Sequence, residues 1–225
     1  MNSKIKNLKA DLHREFDVNK HDQDADKFAQ YMKGHFEFYG VRSPQRKIIQ
    51  AKFKPIVKLF STDDLLDLAD ALWVEKRELQ YVAIDYLTWR KKQFDVAHLP
   101  RLERLIITKS WWDTVDLLAS NAIGEILKNK DDTKLEWIDK WINSEHMWLN
   151  RTAIIHQLKY KEEIQLDLLF ALIESEIASK EFFIQKACGW ALRQASKSYP
   201  LEIKEFIELH PNLSKLTVKE GSKYI

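Results

Sequence analysis

Apolar residues recur at spacings of three and four along nearly the whole chain, and no stretch sustains period-two alternation. This is the pattern of amphipathic helices packed on one face, and it argues against half-buried strands. It predicts helices over 3–17, 23–33, 44–60, 62–74, 76–92, 96–108, 111–128, 132–143, 147–160, 163–178, 181–197 and 200–209. Start signals support several of them. Ser43 precedes Pro44, the favoured first-turn proline. Ser110-Trp-Trp-Asp113 has the form of a capping box with aspartate in place of glutamate. The connections are short, so sequence neighbours are expected to run antiparallel. No linker or low-complexity stretch interrupts the pattern, and residues 1–225 read as one domain.

Within the helical pattern lies a repeat. Glu78-Leu-Gln-Tyr-Val-Ala83 aligns with Trp148-Leu-Asn-Arg-Thr-Ala153 and Phe183-Ile-Gln-Lys-Ala-Cys188 without a gap, at offsets of 70 and then 35 residues. Stepping by 35 from Gln80 gives Val115, Asn150 and Gln185, and backwards it gives Gln45. Small or apolar residues stand three positions on, at Ile48, Ala83, Leu118, Ala153 and Cys188. A unit of this length is that of a two-helix repeat in a solenoid, where every second helix lines a concave surface. The position next to Gln80 and its equivalents holds Arg46, Tyr81, Asp116, Arg151 and Lys186, expected as a row along neighbouring inner helices. Trp112 lies four before Asp116 and Trp190 four after Lys186, which places them on the same faces.

Composition adds limits. A chain of 225 residues can bury roughly 70–75% of the surface it exposes when unfolded, so it needs neither disulfide nor structural metal. The single Cys188 fits a reducing compartment. No secretory signal and no membrane-length apolar run is visible, and the expectation is a cytoplasmic protein. Five Gly and five Pro are few for a turn-rich fold. The net charge of +2 is unevenly spread: residues 1–60 hold 13 Lys/Arg against 7 Asp/Glu, and residues 180–225 hold 8 against 5. Basic ends around an acidic centre suit a polyanion held from both sides, although solvated faces account for the pattern equally well.

Four strings then stand out: Tyr31-Met-Lys-Gly-His-Phe through Gly40 to Pro44-Gln-Arg46, Thr108-Lys-Ser-Trp-Trp-Asp-Thr-Val-Asp116, Trp148-Leu-Asn-Arg151-Thr-Ala-Ile, and Ser179-Lys-Glu-Phe-Phe-Ile-Gln-Lys-Ala-Cys-Gly-Trp190-Ala-Leu-Arg193. In this order they resemble the AlkD-type alkylpurine DNA glycosylases, or DNA alkylation repair enzymes, built of HEAT-like helical repeats. The resemblance implies an all-α, right-handed superhelical solenoid whose concave surface binds duplex DNA. It implies excision of N3- and N7-alkylated purines such as 3-methyladenine and 7-methylguanine by a monofunctional glycosylase acting as a monomer, without cofactor or metal. It makes Asp116 the catalytic carboxylate, Trp112 and Trp190 the aromatic walls beside the lesion, Arg151 a contact to the backbone at the lesion, and Tyr31 an aromatic near the DNA. Lys186, Arg193, Arg46 and Lys159 are further candidates for phosphate contact. Arg42, two before Pro44, receives no role from it.

The chemistry suits these residues. A purine alkylated at N3 or N7 is cationic and already an activated leaving group, so a strong general acid is unnecessary. An ionised carboxylate stabilises the oxocarbenium-like sugar and can position water. Tryptophan faces attract a cationic base by about 0.5–2 kcal/mol each. Other readings stand beside these. Asp116 also suits the dipole near its helix start. Trp111 reads as core, Asp113 as a helix-start residue, and Trp73, Trp89, Trp137, Trp141 and Trp148 as packing. The seven histidines show no metal-ligand spacing, and Cys188 sits on a core position. The alternative function is a non-catalytic HEAT-like scaffold for DNA or a protein partner.

Overall fold

The computed structural model describes residues 3–128 and 131–225, and among them every regular element is a helix. The chain gathers into two compact units. The first runs to Gln93 and holds α1 (Ser3–Val18), α2 (Asp22–Tyr31), α3 (Ser43–Lys52), the single turn α4 (Lys54–Val57), α5 (Thr62–Trp73) and α6 (Arg77–Trp89). The second begins at Phe94 and holds α7 (Leu99–Ile107), α8 (Trp112–Leu118), α9 (Gly124–Ile126), α10 (Asp132–Ile142), α11 (Met147–Ile155), α12 (Leu166–Ser175), α13 (Phe182–Ala195), α14 (Pro200–Leu209) and α15 (Lys215–Gly221). The expected all-helical class is the observed one. No helix among the described residues is long and apolar enough to cross a membrane.

The apolar stripes face inward as their spacing requires. Leu8, Leu12 and Phe16 of α1, Leu65, Leu68 and Leu72 of α5, and Leu79, Val82 and Leu87 of α6 are buried in the first unit. Leu102 and Ile106 of α7, Val115 and Leu118 of α8, Ile154 of α11, and Ile184 and Leu192 of α13 fill the second. Each such side chain contributes about 1.5–3 kcal/mol on leaving water. Of the tryptophans read as packing, Trp73, Trp141 and Trp148 are buried and Trp137 packs edge-on against Trp141. Trp89 departs from that reading: it is 43% exposed and carries Lys54 over its ring.

Several boundaries differ from the periodicity. The helix expected over 44–60 breaks at Phe53, because Pro55 cannot donate the intrahelical bond and its ring crowds the preceding turn. The segment expected at 96–108 opens as a 3-10 turn, Val96–His98, ahead of Pro100. The helix expected over 111–128 widens into a π turn at Ala119–Ile123. Ser110 forms no capping box: its hydroxyl donates to the Ile106 carbonyl (2.6 Å), and Trp111 takes the cap position. Capping boxes form instead between Ser61 and Asp64 at the start of α5 and between Asp95 and His98 at the 3-10 turn. Helix α15 lies beyond the last helix that the periodicity predicts.

The 35-residue repeat has a physical basis in buried amides. Gln80 donates to the Trp73 carbonyl at the end of α5 (2.8 Å). Asn150 donates to the carbonyls of Trp141 (3.1 Å), Ile142 (2.8 Å) and Ser144 (2.9 Å) where α10 ends. Gln185 donates to the Ser179 carbonyl beyond α12 (3.0 Å). Carbonyls at a helix C-terminus have no intrahelical donor, so an amide from the next helix satisfies them and fixes the angle of the pair. Val115 has no such group, and the Ser110 hydroxyl does the same for α7. Three positions on, Ala83, Leu118, Ala153 and Cys188 are buried, whereas Ile48 is 58% exposed and leaves the pattern.

Asn150→Ala would remove the side-chain donor of three carbonyls, of which that of Trp141 keeps a bond from the Ser144 amide (3.3 Å), and should lower unfolding stability by about 1–3 kcal/mol. Gln185→Ala, which removes one bond from a less buried site, should cost less. Denaturant unfolding of both variants measures the difference, and equal stability of wild type and Asn150→Ala would refute the capping role.

Candidate functional site

The second unit brings four of the anticipated residues together. Trp112 and Asp116 lie one turn apart on α8, Arg151 on α11, and Trp190 on α13. Arg151 is the centre of the arrangement. Its guanidinium grips Asp116 with two parallel bonds, Nε to Oδ1 at 2.7 Å and Nη2 to Oδ2 at 2.8 Å. Its Nη1 donates to the Phe183 carbonyl. The guanidinium carbon stands 5.3 Å from the Trp190 ring centroid and 6.0 Å from that of Phe183. Arg151 is 1% exposed, and the Asp116 side chain is 17% exposed. The Asp116 side chain therefore keeps limited access to solvent while its fork partner is sealed behind it.

Local sequence produces this placement. The helix carrying Asp116 widens into the π turn just beyond it, and the carbonyls of Asp116 and Leu117 accept side-chain bonds from Ser120 Oγ (2.7 Å) and Asn121 Nδ2 (2.7 Å). Such π bulges often mark functional sites. Gly124 then lets this segment lie directly on the end of α11: a Cβ there would fall 2.5 Å from the His156 carbonyl oxygen. The Tyr160 hydroxyl donates to the Gly124 carbonyl across the same contact (2.6 Å). His156 is fully buried with Nδ1 on the Ala153 carbonyl, and burial pushes its pKa down to about 4, so it packs as a neutral ring. With α8 and α11 locked this closely, residues one repeat apart face each other, and Asp116 meets Arg151.

The electrostatics of Asp116 are a contest. Burial raises its pKa above the ordinary 3.8, the two Arg151 bonds pull it down, and the neighbouring Asp113 charge adds to the rise. The net direction is upward. A bidentate guanidinium stabilises the ionised form, and each carboxylate oxygen keeps a lone pair beyond the one Arg151 occupies. The arrangement thus offers a positioned anion whose oxygens can each accept one further bond. It is suited to face a developing positive charge or to accept a bond from water.

The family-model comparison matches the DNA alkylation repair enzyme family over residues 12–225. The chain belongs to that family. Among solved structures it is similar to one described as a predicted DNA alkylation repair enzyme from Enterococcus faecalis, at 31% identity and a TM-score of 0.80, over 92% of this chain and 96% of that one. No curated protein matches it.

In this DNA alkylation repair protein the remaining anticipated residues fall in distinct settings. Trp111 packs at 5.9 Å from Trp148 and 5.2 Å from Phe183, in the cluster expected of a core residue. Lys186 and Arg193 flank Trp190 on α13, and both bind a residue that sequence reasoning missed: the Glu220 carboxylate, at 2.8 Å and 2.9 Å. One further step of 35 from Gln185 lands on Glu220, so the repeat itself carried the signal. Lys159, exposed, donates to Asn121 Oδ1 beside the π turn. In the first unit, Tyr31 is 70% exposed at the end of α2. Arg46 is buried instead, bonded to Asp85 at 2.6 Å and stacked 5.2 Å over Tyr81. Arg42 forks onto Asp24 at 2.7 and 3.0 Å, the contact that accounts for it.

Lys186 and Lys223 together hold the Glu220 pKa down to about 2, against an ordinary 4.5. A carboxylate with a lowered folded-state pKa adds stability above its unfolded value and loses it as pH falls through the folded one. The stability gap between wild type and Glu220→Gln should therefore be constant above about pH 5 and close between about pH 4.5 and 2. Denaturant midpoints across that range test it.

Proposed function

We propose that this protein is a monofunctional DNA glycosylase that removes N3- and N7-alkylated purines from duplex DNA by hydrolysing the N-glycosidic bond. The observation that carries this reading is the Asp116 carboxylate, gripped on both oxygens by a sealed arginine in a side chain that is itself 17% exposed, one turn from Trp112 and bridged through Arg151 to Trp190. A protein that only bound phosphates would gain nothing from an anion held at that place.

On this reading the lesion enters with its positive charge already present. As the glycosidic bond lengthens, charge passes from the purine to the sugar, and Asp116 stabilises the oxocarbenium-like centre. The same carboxylate accepts a bond from the water that adds to the anomeric carbon, leaving an abasic site and the free base. Trp112 and Trp190 offer electron-rich faces to the cation. Arg151 acts through Asp116: it fixes the carboxylate's orientation and keeps it ionised against the cost of burial. Lys186, Arg193 and Lys159 in this unit, and Tyr31 in the other, contact the DNA backbone, where affinity is uniform across sequences and falls with salt. Because the reacting contacts are to sugar and phosphate, the base need not rotate into a pocket.

Asp116→Asn should lose about a hundredfold or more of 7-methylguanine release while retaining DNA binding. Assay of free base from methylated duplex, beside fluorescence anisotropy on the same DNA, measures both. Undiminished excision by this variant would refute the mechanism, and no free base from the wild type would refute the activity. The acid limb of the excision profile should have its midpoint above 3.8, since burial raises the Asp116 pKa. Arg151→Met, which removes the opposing cation, should move that limb further up.

A further inference from the structure

Helix α15 lies against α13 at backbone contact. A Cβ added to Gly189 would fall 2.5 Å from Glu220 Cβ and 3.0 Å from the Thr217 carbonyl oxygen. Gly221 makes the reciprocal approach, since a Cβ added there would fall 3.1 Å from Leu192 Cβ. Thr217 fastens the two helices with a hydroxyl bond to the Gln185 carbonyl (3.1 Å), and Ser214 caps α15 through the Thr217 amide (3.0 Å). This contact sets Glu220 between Lys186 and Arg193, which are seven residues apart on α13 with Trp190 between them. The Glu220 side chain is only 7% exposed, while those of Lys186 and Arg193 are 25% and 28% exposed. The carboxylate is thus beneath the cations. Lys223 adds a third bond to it at 2.8 Å.

We infer that Glu220 is a positioning residue for DNA binding: from beneath, it holds Lys186 and Arg193 as a fixed pair of phosphate donors on either side of Trp190. Charge and geometry both point this way. Three cations share one carboxylate, so the cluster keeps a net charge of +2 after pairing. Each held cation retains N–H groups that Glu220 does not use, and these remain for a phosphate. Long cationic side chains lose rotamer freedom when they bind, and a partner that has already ordered them lowers that loss. A phosphate cannot take the carboxylate's place while α15 rests on Gly189, so Glu220 stays where it is when DNA arrives. Arg193 also stands 5.8 Å over the Trp190 ring, so the same anchor orients an aromatic wall of the proposed site.

The inference rests on the glycosylase reading only in taking Lys186 and Arg193 as DNA contacts, and its sign separates it from simple electrostatics. Removing a negative charge from a DNA-binding face should tighten binding if charge alone matters. Loss of a positioning group should weaken it. Anisotropy of an unmethylated duplex oligonucleotide with the full chain is the measurement, repeated over a salt series. Glu220→Gln should raise Kd by roughly three- to tenfold. It should also make the salt slope shallower by about 1–2, one for each phosphate contact given up. In excision assays the loss should fall on KM more than on the single-turnover rate at saturating DNA. Glu220→Asp, which keeps the charge and shortens the reach, should lie between, and it carries the test if Glu220→Gln fails to fold by circular dichroism. Added to Lys186→Ala with Arg193→Ala, Glu220→Gln should cause no further loss. An unchanged or lower Kd for Glu220→Gln, or full additivity with the double variant, would overturn the inference. A wild-type chain that binds no DNA would instead overturn the function on which it rests.

Discussion

A carboxylate and a guanidinium leave water together when Asp116 and Arg151 pair, and much of the second unit is arranged around that event. Taking two charges out of solvent costs several kcal/mol per ion, and their attraction returns it only when every donor finds a partner. Here α8 supplies the carboxylate, α11 the guanidinium, and α13 the Phe183 carbonyl and the ring of Trp190. Well-packed apolar residues would hold three helices together as firmly. The pair is therefore poorly explained as a device for stability. It is well explained as a means of fixing one anion, in a side chain with limited access to solvent, one turn from Trp112 and with its cation over the Trp190 ring.

The same logic recurs at the cations. Arg46 is held by Asp85, Arg42 by Asp24, and Lys186 and Arg193 by Glu220. Each bond joins residues far apart in sequence, on different helices or, for Arg42, at a helix cap, so the positions of the positive charges are decided by packing as well as by side-chain rotamers. For a surface meant to meet a phosphate backbone, this trades some net charge for order. Arg46 shows the limit of the trade: buried and bonded to Asp85, with its guanidinium over Tyr81, it belongs to the first unit's packing before it belongs to any ligand.

Much of this was legible in the chain. The periodicity gave the helical class, and the 35-residue step gave a column, Gln80, Asn150 and Gln185, whose amides bond carbonyls at or just beyond the ends of the preceding helices. The step also placed Asp116 and Arg151 at equivalent positions one repeat apart, the separation at which they pair. The misses have local causes. Pro55 divides a stretch whose apolar spacing continues unbroken, and the π turn after Leu118 is invisible to a 3.6-residue period. Helix α15 is seven residues long with Thr217 and Val218 within it, too short and too β-branched to register as a helix.

The sequence by itself determined that the chain is helical and repetitive, and that Trp112 shares a helix face with Asp116 and Trp190 with Lys186, because period and offset are properties of the string. Tertiary structure alone decided that Arg151 turns inward to Asp116, that Glu220 underlies Lys186 and Arg193, and that Ile48 stays in solvent. Those outcomes depend on how near one helix comes to another. That distance is set by contacts such as Gly124 on His156 and Gly189 on Glu220, which no single segment contains.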